Sequence, residues 1–508
     1  MNIPTRYSLL TLVLTSSAAC TSADCPPGQG MTAGGECARI NYGDDDSPGT
    51  GDSADTSGDT APQPATCSTD ELISIYTEGG FAGYDVLGIG VDTLRDDAIG
   101  AFGSHPMLAG RSPNMDTWLA NNTVIIENTV TGAAWTAPSA PSYLAGVPAV
   151  ECGEDCFVRG NERNGPNLPT SYTMLQEALQ ETGYSTYLST GNSFMGGDDT
   201  GTQYGWNTID VYNDKSVHPG ETYDDAVDRL ASVVVASEGP SFHQLFVMEP
   251  HASFIAPPEY LDSEHYACEE LPSLPNGIAM DDERVMQNIT NGWTTFSSDQ
   301  QDAIMANLWC YYGAEVQWTD AGIGRLLSAL DGAGKLEHTL VVFMGDHGEE
   351  FGEHDDLFGH QKSLHGAGTN VIGGFYSPCQ EPATHVGMVD IGDLGPTVLR
   401  ALGEPIPDTM TGVPLGDRTE DDTLIAYQCG SDYDSQQARS SVTATNPVTG
   451  QRLYYDRDTQ GLTLLNAAAD PYGLDGQEVE RVDAPEDLLE AVENTIDRSA
   501  SESWCGGG

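Results

Sequence analysis

The stretch Leu340-Val-Val-Phe343-Met-Gly-Asp346-His347-Gly348-Glu-Glu-Phe-Gly-Glu-His354 decides the fold. Its first half is a short apolar run stopped by Gly and Asp, the pattern of a strand buried on both faces of a parallel sheet. Upstream, Val86-Leu-Gly-Ile89-Gly-Val91 leads in the same way into Asp92. Asp92, Asp346 and His347 are then expected where such strands end, the place at which open α/β sheets hold their ligands. Between the two runs lies Trp135-Thr136-Ala-Pro138-Ser139-Ala-Pro-Ser142, which offers a hydroxyl. Two acids and a histidine converging on a hydroxyl predict a metal site that holds a nucleophile.

A chain of 508 residues holds one large α/β domain plus appendages, with ample core. Its 77 acidic and 19 basic residues leave a formal charge of −58, and lysine occurs only as Lys215, Lys335 and Lys362. A field of that sign repels phosphate, which argues against nucleic acid or an anionic membrane surface as partner. A solvated acidic surface with almost no lysine suits a halophilic protein; an acidic secreted protein without salt specialisation has the same composition.

Arg6, the apolar Leu9-Leu-Thr-Leu-Val-Leu14 and the small residues up to Ala19 read as a signal peptide over residues 1–19. Ser-Ala-Ala-Cys20 resembles a bacterial lipoprotein cleavage box, with Ser17 where Leu is usual, so a lipid anchor at Cys20 is expected, with free secretion as the alternative. The protein is therefore expected to be exported to the bacterial cell envelope or beyond. No other stretch is long and apolar enough to cross a bilayer. Setting Cys20 aside from the 11 cysteines leaves ten, an even number suited to an oxidising compartment. Cys25 with Cys37 and Cys152 with Cys156 are plausible local pairs. Order alone suggests Cys268 with Cys310, Cys379 with Cys429 and Cys67 with Cys505. None has zinc-finger spacing.

Residues 20–66 are Gly, Ser, Thr, Asp and Pro with few apolar side chains and read as a disordered tether. The run Asp44-Asp-Asp-Ser-Pro-Gly-Thr-Gly-Asp52 lacks the closing Glu of a calcium loop, so a solvated linker is the expectation. Residues 67–430 alternate strand-like and helix-like segments and form the expected catalytic domain. Tyr184-Ser-Thr-Tyr-Leu188 and Phe242-His-Gln-Leu-Phe-Val-Met248 read as strands; Ile323, Leu326, Leu327 and Leu330 keep helical spacing up to Gly332 and Gly334. Residues 431–508 change to short strands, such as Arg452-Leu-Tyr-Tyr-Asp456 and Gly461-Leu-Thr-Leu-Leu465, before a helix around 485–496. They are expected to form a small α+β subdomain.

Thr136 has two readings. It caps a helix with Pro138 in the first turn, or its hydroxyl, at a helix N-terminus beside a metal, is a nucleophile facing bound anions. The acids and histidines at two strand ends favour the second. After Asp346-His347 come His354, His360, Lys362 and His365, dense for a chain with 11 histidines, though His347 and His354 lack the i, i+4 spacing of zincins. Lys362 either neutralises charge on a transferring phosphoryl or sulfuryl group or pairs with Asp355 or Asp356. His251, in Met248-Glu-Pro-His-Ala-Ser-Phe, follows another strand; it either reaches the same cleft or is a loop histidine.

Taken in order, these motifs resemble the sulfatase family of the alkaline phosphatase superfamily. Val91-Asp-Thr-Leu-Arg-Asp resembles that family's first metal-binding stretch, Ser112-Pro-Asn-Met-Asp116 its "TPNLD" segment, and Trp135-Thr-Ala-Pro-Ser with Leu144-Ala-Gly146 its nucleophile motif. Glu249-Pro-His251 is similar to its "DPH" stretch, Glu315-Val-Gln-Trp-Thr-Asp-Ala-Gly-Ile-Gly324 to its "EV-YTDAAIG" helix, and residues 340–364 to its "DHGEEFGEH…GH-KSLY" block. Val389-Asp-Ile-Gly-Asp-Leu-Gly-Pro-Thr397 and residues 464–471 resemble later landmarks. The resemblance spans roughly residues 80–495.

The resemblance implies an alkaline phosphatase-like α/β sandwich: a central mixed sheet flanked by helices, plus a smaller C-terminal sheet. It implies Asp92, Asp346 and His347 as holders of a divalent metal ion. His251 and Lys362 would contact an anionic ester, with His360 beside them as ligand or proton donor. The departures are as informative. Sulfatases place Cys or Ser at the nucleophile position, oxidised to formylglycine and followed by Pro and Arg. Here Thr136 stands there and Ala140 replaces the arginine, so formylglycine cannot form; His365 stands where the family has Tyr. Thr at that position resembles superfamily phosphodiesterases and phosphotransferases.

The expected function is an exported, metal-dependent hydrolase of phosphate or sulfate esters using Thr136, on a glycan, lipid or small molecule. An envelope phosphotransferase and a catalytically inactive, glycan-binding lipoprotein are the alternatives. The metal is Ca, Mg, Mn or Zn: His347 leans away from pure calcium, while oxygen ligands dominate the set.

Overall fold

In the computed structural model the described residues are 30–31, 37–38, 74–152, 171–196, 201–212, 222–263, 266–354, 356–361, 363–378, 380–419, 421–428, 441–467 and 476–501. The chain divides into a unit Met1–Asp55 and a unit Thr56–Gly508. In the first, Gly30–Met31 pairs antiparallel with Cys37–Ala38. All other described elements belong to the second.

That unit is built on a nine-stranded mixed sheet. Its strands are β1 (Asp85–Val91), β2 (Thr123–Val130), β3 (Ser185–Thr190), β4 (Thr208–Val211), β5 (Ser241–Val247), β6 (Thr339–Gly345), β7 (Asn370–Val371), β8 (Gly373–Tyr376) and β9 (Ala383–Asp390). They lie in the order β7-β2-β8-β6-β1-β5-β3-β4, with β9 beside β2. The centre is parallel, as the apolar runs require: β6, β1, β5, β3 and β4 share one direction, and β8 enters antiparallel between β6 and β2. The two runs singled out in the sequence are neighbours, in register from Thr339 opposite Asp85 to Gly345 opposite Val91. Asp92 and Asp346 therefore leave the sheet side by side.

Alternate residues of these central strands enter two separate cores. Leu340, Val342 and Met344 face one and Val341 and Phe343 the other, the period-two pattern of a sheet covered on both faces. Helices α1 (Pro113–Asn122), α4 (Tyr223–Ala236) and α5 (Ser298–Gly332) cover the second face. Helices α2 (Thr136–Ala145), α3 (Leu175–Glu181) and α6 (Leu394–Leu402) cover the first. The glycines inside β1 are there for closeness. A Cβ on Gly88 would meet Gln244 Oε1 at 2.1 Å, and one on Gly90 would meet Phe246 at 2.7 Å, because β5 sends its large side chains across them.

A second, antiparallel sheet of five strands follows: β10 (Leu424–Gln428), β11 (Ser441–Thr445), β12 (Gln451–Asp456), β13 (Gly461–Asn466) and β14 (Gln477–Glu478), in sequential order. Helix α7 (Glu486–Ser501) closes the described chain and packs on β11 and β12. Mixed central sheet, flanking helices and small C-terminal sheet are the expected architecture.

Two details differ from expectation. The helix read from Ile323 to Leu330 begins far earlier, at Ser298, behind a capping box in which Ser297 and Gln300 exchange side chain-to-backbone bonds. Thr136 is not a cap: Trp135 takes the extended cap position, and Thr136 is already helical. The expected Cys268–Cys310 disulfide is formed, tying α5 to the preceding segment. Each of the other expected pairs, like the proposed anchor Cys20, includes a cysteine outside the described residues. No helix among the described residues is long and apolar enough to cross a membrane.

Candidate active site

Parallel strands β1 and β6 deliver Asp92 and Asp346-His347 to one sheet edge, and α2 delivers Thr136 to the same point. Every residue of α2 is buried, and Ser139 Oγ donates to the Asp346 carbonyl at 2.8 Å, which ties the helix to the strand end. Thr136 Oγ1 lies 3.4 Å from each Asp92 carboxylate oxygen and 3.2 Å from His347 Nε2. Its hydroxyl caps nothing and faces the acids. His347 Nε2 lies 3.3 Å from Asp92 Oδ1 and 3.5 Å from Asp346 Oδ2, with all three side chains wholly buried.

The surrounding backbone fixes these groups. His347 Nδ1 donates to the Gly348 carbonyl at 2.9 Å, which leaves Nε2 directed at the cluster. Gly348 has no room for a side chain, since a Cβ there would lie 2.0 Å from the Ala367 carbonyl oxygen. Asp346 Oδ1 accepts from His347 N at 2.7 Å and Thr93 N at 3.2 Å, whereas its buried Oδ2 makes no hydrogen bond. Arg95 bridges the two strand-end loops, pairing with Asp97 and Glu353 and donating to the Glu349 carbonyl at 2.8 Å.

Burial alone would raise the pKa of Asp92, but the His347 hydrogen bond and the neighbouring imidazoles of His251, His347 and His360 hold it below the ordinary value. Asp346 goes the other way: burial and the facing Asp92 charge push it up to about 8. Burial opposes a charged His347, yet the Asp346 and Asp92 carboxylates raise it to about 9. With a single imidazolium beside them, the two buried carboxyls can both ionise only at a deficit of positive charge, which is why Asp346 holds its proton up to about 8.

A divalent ion fits that deficit. One ligand atom each from Asp92, Asp346 and His347 lies within 4.8 Å of the others. Asp346 Oδ2 is an orphaned buried acceptor, and His347 Nε2 has its tautomer set from behind. Two carboxylates and an imidazole are a hard-to-borderline donor set.

Of the other expected residues, His251 and His360 join the group. The His360 ring centre is 4.9 Å from that of His347 and 5.0 Å from that of His251. His360 Nδ1 contacts Glu349 at 3.2 Å, and burial pushes the Glu349 carboxyl up to about 7. His354 and His365 do not join. They stack at 3.6 Å, His365 lies against Tyr454 of β12, and His354 Nδ1 contacts Glu350 at 3.0 Å, forming a buried seam between the two sheets. Lys362 lies outside the described residues.

Asn192 belongs to the site and escaped the sequence reading. Its Nδ2 donates to Asp92 Oδ2 at 2.5 Å. The signal was present: Thr190-Gly-Asn192 ends the strand read from Tyr184, so a third strand end points at the same edge.

A family model described as Sulfatase matches residues 85–404. Human iduronate 2-sulfatase is 26% identical over 328 residues, covering 54% of this chain and 56% of that protein. Arylsulfatase K of Xenopus laevis is 28% identical over 168 residues, covering 32% and 30%. The matched stretches thus span between about a third and just over half of these relatives' own length. Among solved structures, BT4656 in complex with its substrate D-glucosamine-2-N,6-O-disulfate is similar with a TM-score of 0.63 at 16% identity, covering 84% of this chain and 100% of that one. Phosphonate monoester hydrolase of Agrobacterium radiobacter gives 0.55 at 18% identity, covering 82% and 96%. At such identities the structural likeness concerns the fold. The Sulfatase match covers more than half of the 508 residues and contains both strand ends, the helix of Thr136 and the His360 segment: the chain belongs to the sulfatase family.

Proposed function

We propose that the chain is an exported, metal-dependent hydrolase of phosphate or sulfate esters that uses Thr136 as its nucleophile. The observation that carries this reading is the position of Thr136 Oγ1, at the start of a buried helix and within 3.4 Å of both Asp92 and His347. Asp92, Asp346 and His347 would hold the metal. A divalent cation held there lowers the pKa of a neighbouring hydroxyl and neutralises charge on the ester oxygens.

The chain's own groups supply the rest. Thr136 Oγ1 forms a bond to phosphorus or sulfur while the bond from that centre to the leaving alkoxide breaks. The hydroxyl proton passes to the Asp92 carboxylate, which Asn192 orients from its other side. His251 and His360 would protonate the leaving alkoxide, and Lys362 would keep the charge-neutralising role suggested by its sequence neighbours. Water then attacks phosphorus or sulfur of the Thr136 ester, giving a proton to the imidazole that protonated the leaving group, while the bond to Thr136 Oγ1 breaks, that oxygen regains its proton from Asp92 and the inorganic anion is released. A phosphotransferase would differ only in this second step, with an alcohol in place of water. The leader-like composition of residues 1–19 and the Cys268–Cys310 disulfide support export.

The test is turnover of matched aryl phosphate monoester, phosphate diester and sulfate by the full chain, supplied in turn with Ca, Mg, Mn and Zn. The expected result is metal-dependent hydrolysis that Thr136→Ala lowers by at least about 10³-fold. Hydrolysis that survives Thr136→Ala overturns the threonine mechanism. Turnover only with an added alcohol makes the protein a transferase, and no turnover of any ester by folded protein makes it a binding protein.

A further inference from the structure

Where the small sheet leans on the main one, the end of β2 and strands β10, β11 and β12 surround a cavity. Its lining includes Thr131, Thr369, Ile425, Thr443, Thr445 and Arg452. Arg452 sits opposite Thr445 in the β11–β12 ladder and donates from Nε to Thr445 Oγ1 at 2.9 Å. Among the described residues this is the one hydrogen bond its side chain makes, and no carboxylate pairs with it, although it is only 3% exposed. Buried Arg95 is held by Asp97 and Glu353, half-buried Arg418 by Asp393, and fully buried Arg111 donates to Gln317 Oε1 at 3.3 Å. Among the described residues no carboxylate answers this guanidinium, and Arg452 lines the cavity.

A buried charge without a counter-charge is costly, which is why buried charges are paired. Burial, opposed by no neighbouring carboxylate, pulls the Arg452 pKa down to about 10, so the group remains cationic near neutral pH. No described side chain supplies the counter-charge, which leaves that place to an ion from solution. The cavity's free space is about 10 Å³. That admits one small body and excludes tetrahedral sulfate or phosphate. Thr445 Oγ1, which accepts the Arg452 bond, keeps its own proton to donate.

We propose that this cavity is a binding site for one small monovalent anion, of chloride size, held by the Arg452 amino groups and the Thr445 hydroxyl. The anion would join the small sheet to the main one at a structurally sensitive point. Thr131 N donates to the Thr369 carbonyl at 3.0 Å at the cavity wall, and the chain runs from Thr131 directly to Trp135 and Thr136. The site lies apart from the cluster around Asp92 and does not depend on the reaction catalysed there.

The experiment is thermal unfolding of the full chain at constant ionic strength, with sodium gluconate replaced stepwise by chloride, bromide or sulfate. Chloride and bromide are expected to raise the melting temperature saturably, by about 3 °C at a hundredfold excess over Kd, and sulfate is not. Arg452→Met is expected to lose the saturable rise, and Thr445→Val to shift its midpoint several-fold to higher concentration. Crystals of the unaltered protein soaked in bromide are expected to show anomalous scattering in the cavity. Equal responses to chloride and gluconate, an unchanged chloride response in Arg452→Met, or a cavity that holds only water in the bromide crystals overturns the site. If Arg452→Met does not fold, the bromide position decides.

Discussion

Thr136 holds the first position of a helix whose every residue is buried, and its hydroxyl is turned away from the helix toward Asp92 and His347. A merely structural threonine there would be replaceable by its isostere. Thr136→Val keeps the shape and removes only the hydroxyl, so it is expected to fold with a normal melting temperature and lose turnover as completely as Thr136→Ala. Thr136→Ser keeps the hydroxyl and is expected to retain activity within about 100-fold. A Val variant with near-normal kcat would show that Thr136 is packing. Asn192 is a positioning residue by the same geometry, since its amide fixes the rotation of the Asp92 carboxylate at 2.5 Å. Asn192→Leu is expected to weaken metal affinity about 10- to 100-fold, read by calorimetric titration of the metal. Much at this scale was legible. Asp92, Asp346, His347 and Thr136 stand next to strand stops or a helix start, and such positions betray themselves in sequence. Asn192 was missed because the strand is read from sequence only to Leu188, whereas it runs to Thr190 and delivers Asn192 just beyond its end. The hydroxyl direction of Thr136 was open because the capping and nucleophile readings share the same residues.

At the scale of elements, α5 does more than cover the sheet. Its Glu315 is 1% exposed, and Oε1 accepts the backbone N–H groups of Ile255 and Ala256, the latter at 2.7 Å. These belong to the irregular segment that follows His251, so a helix 35 residues long fixes the loop bearing a proposed proton donor. Burial, reinforced by the charge of Glu249, pushes Glu315 up to about 8, so near pH 7 it is mostly a neutral acid. Gln reproduces a neutral acid's shape and its accepting oxygen. Glu315→Gln is therefore expected to keep kcat within about threefold, whereas Glu315→Leu strands two buried N–H groups and is expected to lower kcat at least about 10-fold. Equal kcat in both variants would show that the loop is held by other contacts. Periodicity shows only the last turns of α5, where Ile323, Leu326, Leu327 and Leu330 form a clean stripe, and the family resemblance carries the helix back only to Glu315. Farther back, Trp309, Tyr312, Glu315 and Trp318 are all buried, and a helix covered on several sides loses the amphipathic signature. The Ser297–Gln300 capping box was the remaining signal.

For the whole molecule, charge and burial predict how stability varies with pH and salt. Glu249, Asp320 and Asp390 are buried carboxyls raised by burial to about 7, and Glu315 to about 8, from ordinary values of 3.8 to 4.5. Between about pH 4 and pH 8 the native state therefore binds more protons than the unfolded chain. Since stability changes with pH in proportion to protons bound unfolded minus protons bound folded, it falls as pH rises across that window. The net charge of −58 adds self-repulsion, which salt screens because the surface acids sit in water. The buried carboxyls are not screened. Melting temperature is thus expected to fall from pH 5 to pH 8 and to rise with sodium gluconate at either pH, a salt chosen to leave the proposed chloride site out of play. The pH dependence should survive at 1 M salt, where the screening length is about 3 Å and surface repulsion is gone. A pH dependence that vanishes at high salt would assign it to the surface instead, and Glu249, Glu315, Asp320 and Asp390 would then be ionised in the folded protein.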